Sequence, residues 1–334
     1  MRIALVGFSQ GYYAVSYLRY LEQRKGIEIA AVCDLNASKE YIRSCAFVDA
    51  AAFAEEMGAP LVHSLEEVIR YRPNAALLCC ETNSHTRLAA ELLAAGIHVF
   101  VSKPLCFASC QADALAGAMP TGAILLCGQP LRYETGIREA MARIRGGEIG
   151  TVYAVRIRIC HAAMIRQAWE RDEACSGGPL GTYGVYLFDL AREFGDVPVE
   201  MLYALEQNAA TPEIRAADTV SILARGGSVH FQLELFSAVD LQLPFIHAEV
   251  FGKKGVLETQ YDNAATLVRG ADGLKSGEFR TSDMTRGEME HFLACLRREA
   301  APECSVERMR YITRCIEAVQ RSILSGEVER ITGG

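Results

Sequence analysis

Residues Ile3-Ala4-Leu5-Val6-Gly7-Phe8-Ser9-Gln10-Gly11-Tyr12 form an apolar run that passes directly into a glycine-containing turn. Such a run predicts a buried strand followed by a tight turn. The dinucleotide-binding fingerprint has glycines at what are here positions 7, 9 and 12, and only Gly7 is present. Ser9 still allows a close approach to a pyrophosphate. Tyr12 replaces the glycine that lets helix and strand pack closely, unless Gly11 shifts the turn.

Strand-like and helix-like segments alternate through the first part of the chain. Between the apolar runs lie stretches rich in Ala, Leu and Glu, such as Arg87 to Ala95, which ends at the helix-stopping Gly96. Repeated strand–helix–strand order predicts a doubly wound parallel sheet of the Rossmann type. The predicted strands are Ile3–Val6, Ile29–Val32, Ala75–Cys79, Ile97–Val101 and Ala123–Cys127.

The pattern changes near Gly128, where longer alternating segments begin and two helical segments later close the chain. Alternation of this kind predicts an α+β domain built on a large, mostly antiparallel sheet. We therefore expect two domains, at 1–128 and 129–334, with a cleft between them. The segments are Val152–Ile159, Met201–Glu206, Thr219–Ala224, His230–Phe236, Phe245–Phe251, Arg286–Glu299 and Ser305–Ser325.

Composition excludes several classes of protein. The 334 residues carry a net charge of -7, so no basic surplus is available for nucleic acid or for an anionic membrane. No segment resembles a membrane span or a signal peptide. The twelve cysteines are dispersed without a Cys-x-x-Cys pair and the histidines are scattered. We expect free thiols in a reducing cytoplasm and no metal site.

Asp34 follows the second predicted strand, about twenty residues beyond the glycine turn. A carboxylate at this position accepts hydrogen bonds from the adenosine ribose and repels a 2′-phosphate. No arginine follows Asp34 directly, so NAD is favoured over NADP. The alternative is that Asp34 caps the helix that follows Leu35-Asn36.

Lys103-Pro104 comes directly after the fifth predicted strand. A lysine at the carboxyl end of a strand can direct its ammonium into the crevice where open α/β sheets bind ligands. Pro104 constrains the backbone and permits a cis peptide bond, which re-aims the lysine. Taken as an isolated pair, these two residues favour a simple strand-to-loop turn, and the rest of the chain is what points to a functional lysine.

Together these features resemble the glucose-fructose oxidoreductase / inositol dehydrogenase / rhizopine catabolism (Gfo/Idh/MocA) family over nearly the whole chain. Ser102-Lys103-Pro104 stands where family members have Glu-Lys-Pro. Glu81-Thr82-Asn83-Ser84-His85 is similar to their Thr-Pro-Asn-x-x-His loop, and Gly128–Tyr133 is similar to their Gly-x-Asn-x-Arg-Phe segment, with Pro130 in place of Asn. Further similar elements are Glu148–Val152, Phe251–Glu258 and Glu290–Leu293.

The resemblance implies bound NAD and a set of residues around it. The residues that it assigns to the cofactor are Gly7, Phe8, Ser9, Gln10, Gly11, Asp34, Thr82, His85 and Lys103. For His85, a place near the cofactor and a plain role at the start of a helix are equally compatible with the sequence.

The stretch Gly177–Asp189 is the most diagnostic part of this resemblance. The family has an Asp four residues before a His or Tyr, so that both side chains face the nicotinamide. Thr182 takes the Asp position here and Tyr186 the His/Tyr position, which makes Lys103, Tyr186 and Thr182 the expected catalytic residues. Thr182 carries no charge, however, and the alternative for Tyr186 is a core tyrosine on the apolar face with Val185, Leu187 and Phe188.

The same resemblance places a substrate pocket between the first long strand and the Gly-Gly turn. His161, Trp169 and Tyr183 are the expected substrate-binding residues, because aromatic rings suit a sugar ring. Arg156, Arg158 and Arg166 offer charge for an anionic substrate, although a solvated strand face explains Arg156 and Arg158 equally well.

The expected function is an NAD-dependent oxidoreductase acting on the CH-OH or carbonyl carbon of a sugar, cyclitol or related polyol. One alternative is a non-redox enzyme of the same fold that cleaves glycosides with bound NAD. Another is a dinucleotide-binding sensor or assembly subunit without catalysis. The resemblance further implies a homodimer or homotetramer, in which a second subunit covers one face of the antiparallel sheet.

Overall fold

A computed structural model describes residues 1–35, 49–161, 173–208, 210, 216–237, 243–261, 265–270, 273–278 and 284–332. The chain divides into two compact units. The first comprises Met1–Gln129 with Thr285–Arg310, and the second comprises Pro130–Met284 with Tyr311–Gly334. The domain limits 1–128 and 129–334 stay a prediction, and the structure adds that Thr285–Arg310 groups with the N-terminal unit.

The first unit is built on a six-stranded parallel sheet, as the alternating pattern predicts. Its strand order is β3-β2-β1-β4-β5-β6, and every neighbouring pair is parallel. The order reverses between β1 and β4, which creates the crevice at the carboxyl edge where such sheets bind ligands. The strands are β1 (Arg2–Val6), β2 (Glu28–Cys33), β3 (Leu61–Val62), β4 (Ala75–Leu78), β5 (His98–Val101) and β6 (Leu125–Cys127).

The helices begin and end where local chemistry favours it. Ser64 and Glu67 form a capping box at the start of α3, and Gly96 has a positive φ of 78° just beyond α4, as its position predicts. The described helices are α1 (Gly11–Glu22), α2 (Ala50–Glu56), α3 (Leu65–Arg70), α4 (Thr82–Ala94), α5 (Ser109–Ala118), α6 (Thr135–Arg145), α7 (Glu173–Ser176), α8 (Gly178–Gly195), α9 (Met284–Leu296) and α10 (Val306–Ser325).

The second unit contains the predicted large sheet. Its nine strands have the order β14-β13-β12-β11-β7-β10-β9-β8-β15, and all neighbouring pairs are antiparallel except β7 with β10. The strands are β7 (Val152–Cys160), β8 (Met201–Gln207), β9 (Thr219–Gly226), β10 (Val229–Phe236), β11 (Ile246–Gly252), β12 (Gly255–Gln260), β13 (Ala265–Gly270), β14 (Gly273–Glu278) and β15 (Glu329–Arg330).

One face of this sheet is buried and the other is open. Helix α8 packs against β7 and β10 and covers the buried face. On β9, Val220 and Ile222 are buried while Ser221 and Leu223 are exposed, so the side chains alternate strictly between the two faces. Alternation of this kind is what the sequence pattern predicts, and α8 packs on the buried face.

Candidate active-site residues

The turn after β1 requires glycine at position 7. Gly7 has a φ of +87°, and a Cβ added there would lie 2.7–2.9 Å from atoms of Cys80 in the segment after β4. The backbone N–H of Gly7 donates to the carbonyl of Cys33 at 2.9 Å. The glycine therefore lets the ends of β1, β2 and β4 approach one another closely.

The departures from the glycine fingerprint are accommodated locally. Ser9 is buried in the turn, and Phe8 is buried edge-on against Phe53 with ring centroids 5.9 Å apart. Helix α1 begins at the buried Gly11, and Tyr12 points outward with 58% of its surface exposed. Because Tyr12 faces solvent, its side chain does not separate the helix from the strand.

Gln10 connects the glycine turn to the lysine turn. Its side-chain amide donates to the carbonyl oxygen of Lys103 at 2.9 Å, and its backbone N–H donates to Cys79 at 3.0 Å. The predicted role of Gln10 in cofactor binding stays a prediction. What the structure adds is a direct link from the end of β1 to the residue expected to act on substrate.

Asp34 is buried and comes directly after β2. Its backbone N–H donates to the carbonyl of Val62 at 2.9 Å, which holds it between the ends of β2 and β3. This is the carboxyl edge of the parallel sheet, where the sequence places a group that contacts ribose. Residues 36–48 lie outside the described part of the chain, so the proposed cap of a following helix is not tested.

Thr82 and His85 lie at the start of α4. Thr82 is buried, and its hydroxyl has no hydrogen-bond partner among the described residues. His85 is fully buried with Nδ1 2.7 Å from the carbonyl of Pro104 and Nε2 3.0 Å from that of Cys80. Burial lowers the pKa of His85, and the two carbonyls partly offset this effect. Since both ring nitrogens face backbone oxygens, His85 ties the start of α4 to the lysine turn.

Lys103 lies just beyond β5 with 6% of its surface exposed, and its peptide bond to Pro104 is cis. Ser102, which stands where the related proteins have glutamate, donates its hydroxyl to the carbonyl of Leu78 at 2.9 Å. Ser102 therefore joins β5 to β4. It adds no charge beside the lysine.

Sequence reasoning missed Glu288, a fully buried residue of α9 in the first unit. The hydroxyl of Tyr17 donates to its Oε2 at 2.5 Å. Burial raises the pKa of Glu288 to about 8, while the hydrogen bonds from Tyr17 and from the backbone of Gln129 and the charge of Lys103 act in the opposite direction. Its position one helical turn before the buried Phe292 is a signal that could have identified it as a core carboxyl.

The second unit presents Thr182 and Tyr186 one turn apart on α8. Both are buried. The hydroxyl of Thr182 donates to the carbonyl of Ser176 at 3.1 Å, which secures the first turn of α8. The catalytic role predicted for Thr182 is not tested, but its hydroxyl proton is engaged with the backbone.

Aromatic side chains surround Tyr186 within this unit. His161 stacks on Tyr183 with ring centroids 5.0 Å apart, and both meet Phe245 edge-on at 4.8 and 6.1 Å. Tyr186 lies 6.1 Å from the same Phe245 ring. Phe245 therefore lies at the centre of this aromatic cluster. The sequence predicts the cluster only in part, because Phe245 is far from His161 and Tyr183 along the chain.

The remaining candidates have simpler outcomes. Trp169 and Arg166 lie outside the described residues. Arg156 is half exposed on the open face of the sheet, 3.7 Å from Glu234 and 3.6 Å from Glu249, which favours the solvated-face interpretation. Among the described residues, no cluster of His, Cys, Asp and Glu is arranged to hold a metal ion, and no helix is long and apolar enough to cross a membrane.

The strand order, the positive-φ glycine turn and the acidic residue after β2 define a dinucleotide-binding protein of the Rossmann class. Residues 1–121 match the model of the oxidoreductase family with an NAD-binding Rossmann fold, and residues 137–258 match that of the GFO/IDH/MocA C-terminal domain. The chain belongs to the GFO/IDH/MocA oxidoreductase family, which confirms the resemblance read from its motifs.

Two named relatives support the assignment of the chain to this family. The chain is 27% identical over 176 residues to a putative UDP-kanosamine synthase oxidoreductase subunit of Amycolatopsis mediterranei, a match that covers 52% of this chain and 46% of that protein. It is 26% identical over 225 residues to a myo-inositol 2-dehydrogenase of Thermotoga maritima, which covers 64% and 65%. Both matches span less than two thirds of the relative's length.

A solved structure confirms the fold over the full chain. An oxidoreductase from Agrobacterium radiobacter, in complex with NAD+, L-tartaric acid and magnesium, is similar with a TM-score of 0.83. The similarity covers 99% of this chain and 98% of that one at 18% identity. At this identity the likeness concerns the fold alone.

Proposed function

We propose that the protein is an NAD-dependent dehydrogenase or reductase acting on a hydroxyl or carbonyl carbon of a sugar, cyclitol or related polyol. The observation that carries this proposal is Lys103, a buried cation at the carboxyl edge of the parallel sheet, linked through its carbonyl to Gln10 of the glycine turn. The relationship to a myo-inositol 2-dehydrogenase supports the choice of substrate class.

The residues of the first unit fit NAD. Gly7 keeps the turn open where a Cβ would collide with Cys80, and the buried hydroxyl of Thr82 remains available to a ligand. Asp34, buried directly after β2, is the proposed acceptor of hydrogen bonds from the ribose. When bound, NAD supplies the hydride acceptor or donor.

The protein must move the proton of the reacting hydroxyl. We assign this task to Tyr186, with Lys103 orienting the substrate oxygen. In the reduction direction Tyr186 donates the proton. Thr182 keeps acceptor lone pairs on Oγ1 for a substrate hydroxyl, because its own proton goes to Ser176.

The aromatic cluster of the second unit is the proposed binding surface for the carbon face of the substrate. His161 and Tyr183 provide stacked rings with an interplanar angle of 30°, and both meet the Phe245 ring edge-on. Aromatic faces bind the apolar side of sugar rings, while hydroxyl and imidazole groups select their polar edge. The predicted role of Trp169 stays part of this proposal.

The purified protein mixed with NAD and a panel of sugars, cyclitols and polyols tests this function through the absorbance of NADH. Net NADH formation with one member of the panel is the expected result. Product release without net NADH identifies the glycoside-cleaving alternative, which the uncharged Thr182 favours. Failure to bind either NAD or NADH would overturn both enzymatic functions, whereas binding without any turnover would favour the dinucleotide-binding sensor or assembly subunit.

Asp34→Ala is expected to change the cofactor preference. The variant loses the hydrogen bonds to the ribose and the repulsion of a 2′-phosphate, so the ratio of NADPH to NADH affinity rises by about tenfold or more. Titration of the two reduced cofactors by fluorescence measures this ratio. Glu28→Ala, at the exposed opposite end of β2, is the control and leaves the ratio unchanged.

We propose that the open face of the nine-stranded sheet joins subunits into a homodimer or homotetramer. Leu205 and Leu223 lie on this face of adjacent strands, and each is 60% exposed. A double substitution to glutamate is expected to reduce the mass in light scattering to that of the 36.5 kDa chain. Leu324→Glu, on α10 and 87% exposed, is the matched control. A monomeric wild-type protein would refute this assembly.

We also place the protein in a reducing cytoplasm. Eleven of its twelve cysteines lie in the described part of the chain, and all eleven are free thiols. Ten of these eleven are at least partly withdrawn from solvent, and only Cys110 is exposed. Such thiols persist where disulfides do not form.

A further inference from the structure

We propose that His85 is a positioning residue for Lys103, which it holds in place through the carbonyl oxygen of Pro104. The sequence is compatible with a place near the cofactor and with a plain role at the start of a helix, and this role differs from both. Its effect on turnover rests on the proposed function, whereas its effect on the position of Lys103 does not. All three residues belong to the first compact unit.

The imidazole of His85 is enclosed by the backbone of two other segments. Its Nδ1 lies 2.7 Å from the carbonyl oxygen of Pro104, and its Nε2 lies 3.0 Å from that of Cys80, in the segment after β4. His85 has 0% of its surface exposed. The ring therefore acts on a reaction through the residues that it holds, and the nearest of these to the chemistry is Pro104, the direct neighbour of Lys103.

The two distances identify the ring nitrogen that carries the proton. Burial lowers the pKa of His85, so the ring is neutral at pH 7 and has a single N–H. Both contacts have the length of an N–H···O hydrogen bond, but only one of them can contain the proton. A bare ring nitrogen repels a carbonyl oxygen, and the repulsion is stronger at the shorter distance. The proton therefore lies on Nδ1, which donates to Pro104.

The backbone around Lys103 is held from several elements, and His85 holds the part that follows the lysine. The side-chain amide of Gln10 donates to the carbonyl oxygen of Lys103 itself at 2.9 Å. The backbone N–H and the hydroxyl of Ser102 donate to one carbonyl oxygen of β4, at 2.8 and 2.9 Å. Loss of the hydrogen bond from His85 to Pro104 removes the anchor beyond Lys103, so the ammonium moves from its position.

Two substitutions at position 85 separate the two contacts of the ring. In His85→Asn the side-chain amide nitrogen takes the place of Nδ1 and donates to Pro104. In His85→Gln the amide nitrogen takes the place of Nε2 and donates to Cys80 instead. Both variants lose the packing of the ring, and they differ in whether the hydrogen bond to Pro104 is kept.

His98→Gln is the matched control for these variants. His98 is the first residue of β5, the strand that precedes Lys103, and its Nδ1 accepts from the backbone N–H of Ile124 at 3.3 Å. The substitution removes a contact between histidine and backbone at the amino end of this strand, opposite to the end that carries the lysine. We expect Lys103 to be unaffected.

The direct test is carbon-13 NMR of the lysine side chains in the full chain, without cofactor or substrate. The chain contains six lysines, so selective lysine labelling and one Lys103→Arg sample assign the Lys103 signal. His85→Gln is expected to shift this signal, and His85→Asn to leave it near its wild-type position. An unchanged Lys103 signal in folded His85→Gln protein, or equal shifts in the two variants, would overturn the proposal.

The wild-type protein provides a second test that does not depend on the folding of a variant. Nitrogen-15 NMR of the seven histidines shows which nitrogen of each ring carries the proton, and His85 is assigned through its backbone signals. We expect a proton on Nδ1 of His85 at pH 7. A proton on Nε2 alone would refute the proposal, because His85 would then donate nothing to Pro104.

The effect on turnover is measured with the substrate found in the NADH panel. His85→Gln is expected to lower kcat by about a hundredfold with little change in KM, because a misplacement of about 1 Å costs a factor of this size. His85→Asn should keep most of the turnover and His98→Gln all of it. Equal losses of kcat in the two His85 variants would show a structural role alone and contradict the proposal. An inactive wild-type protein would refute the proposed function, while the NMR results still decide whether His85 positions Lys103.

Discussion

Lys103→Met is expected to lower kcat/KM for the polyol substrate by about a thousandfold, and Tyr186→Phe by a similar factor, because general acid–base groups contribute on the order of 10²–10⁴ to the rate. Methionine preserves much of the apolar stem of the lysine but removes the ammonium. The loss should fall mainly on kcat, since the charge is required as the proton leaves the substrate oxygen. Steady-state kinetics with NAD and the substrate measure it.

Two controls make the Lys103 result specific. Lys25→Met removes an exposed lysine of the same unit and should leave turnover unchanged. Lys103→Arg keeps the charge but changes its geometry, so partial recovery is expected. Full activity in Lys103→Met would exclude Lys103 from the reaction, and full activity in Tyr186→Phe would leave Tyr186 as a core residue.

Asp189→Ala is expected to destabilise the second unit by about 3–5 kcal/mol, since it leaves a buried arginine without its main partner. Arg132 binds Asp189 through two hydrogen bonds of 2.6 and 2.9 Å, and both side chains are almost fully buried. Oε1 of Glu193 lies 2.8 Å from Nη2 of Arg132, and this ion pair offsets the loss of Asp189 only in part. Thermal or urea unfolding followed by circular dichroism measures the change.

The exposed pair Arg87–Glu91, with a distance of 2.7 Å, is the control for this prediction. Glu91→Gln should change the free energy of unfolding by less than about 1 kcal/mol, because exposed ion pairs are solvated and screened. Equal losses of unfolding free energy in Asp189→Ala and Glu91→Gln would show that burial does not control the energy of these ion pairs. Asp189 lies on the same helix as Tyr186, so its loss should also weaken substrate turnover.

The alternation of apolar runs predicted the Rossmann sheet and the antiparallel sheet, and their main strands fall within a few residues of the predicted positions. The exceptions among the described strands are instructive. Leu61–Val62 and Glu329–Arg330 are two residues long, and the paired strands Ala265–Gly270 and Gly273–Glu278 are six residues each. Such strands exist because a neighbouring strand pairs with them, and their own sequences carry little periodic signal.

The residues of the candidate site likewise separate into those that the local sequence predicts and those that it does not. Asp34 and Lys103 were accessible to sequence reasoning, because each directly follows a predicted parallel strand, and the carboxyl ends of such strands share one edge. The positions of Glu288 and Phe245 were not accessible to sequence reasoning. Each contacts residues that are far from it along the chain. The hydrogen bonds of Gln10 and His85 to the lysine turn likewise depend on which loops meet in space.

By itself, the sequence determined the class of fold, the family and the end of the sheet at which the chemistry belongs. These properties follow from periodicity and from motifs whose residues are close in the chain. Only the tertiary structure decided that Tyr12 points to solvent, that the Thr182 hydroxyl donates to the carbonyl of Ser176, and that Glu288 is a fully buried acid bonded to Tyr17. The reason is physical: burial and hydrogen-bond partners depend on residues brought together across the chain, and local sequence contains no record of them.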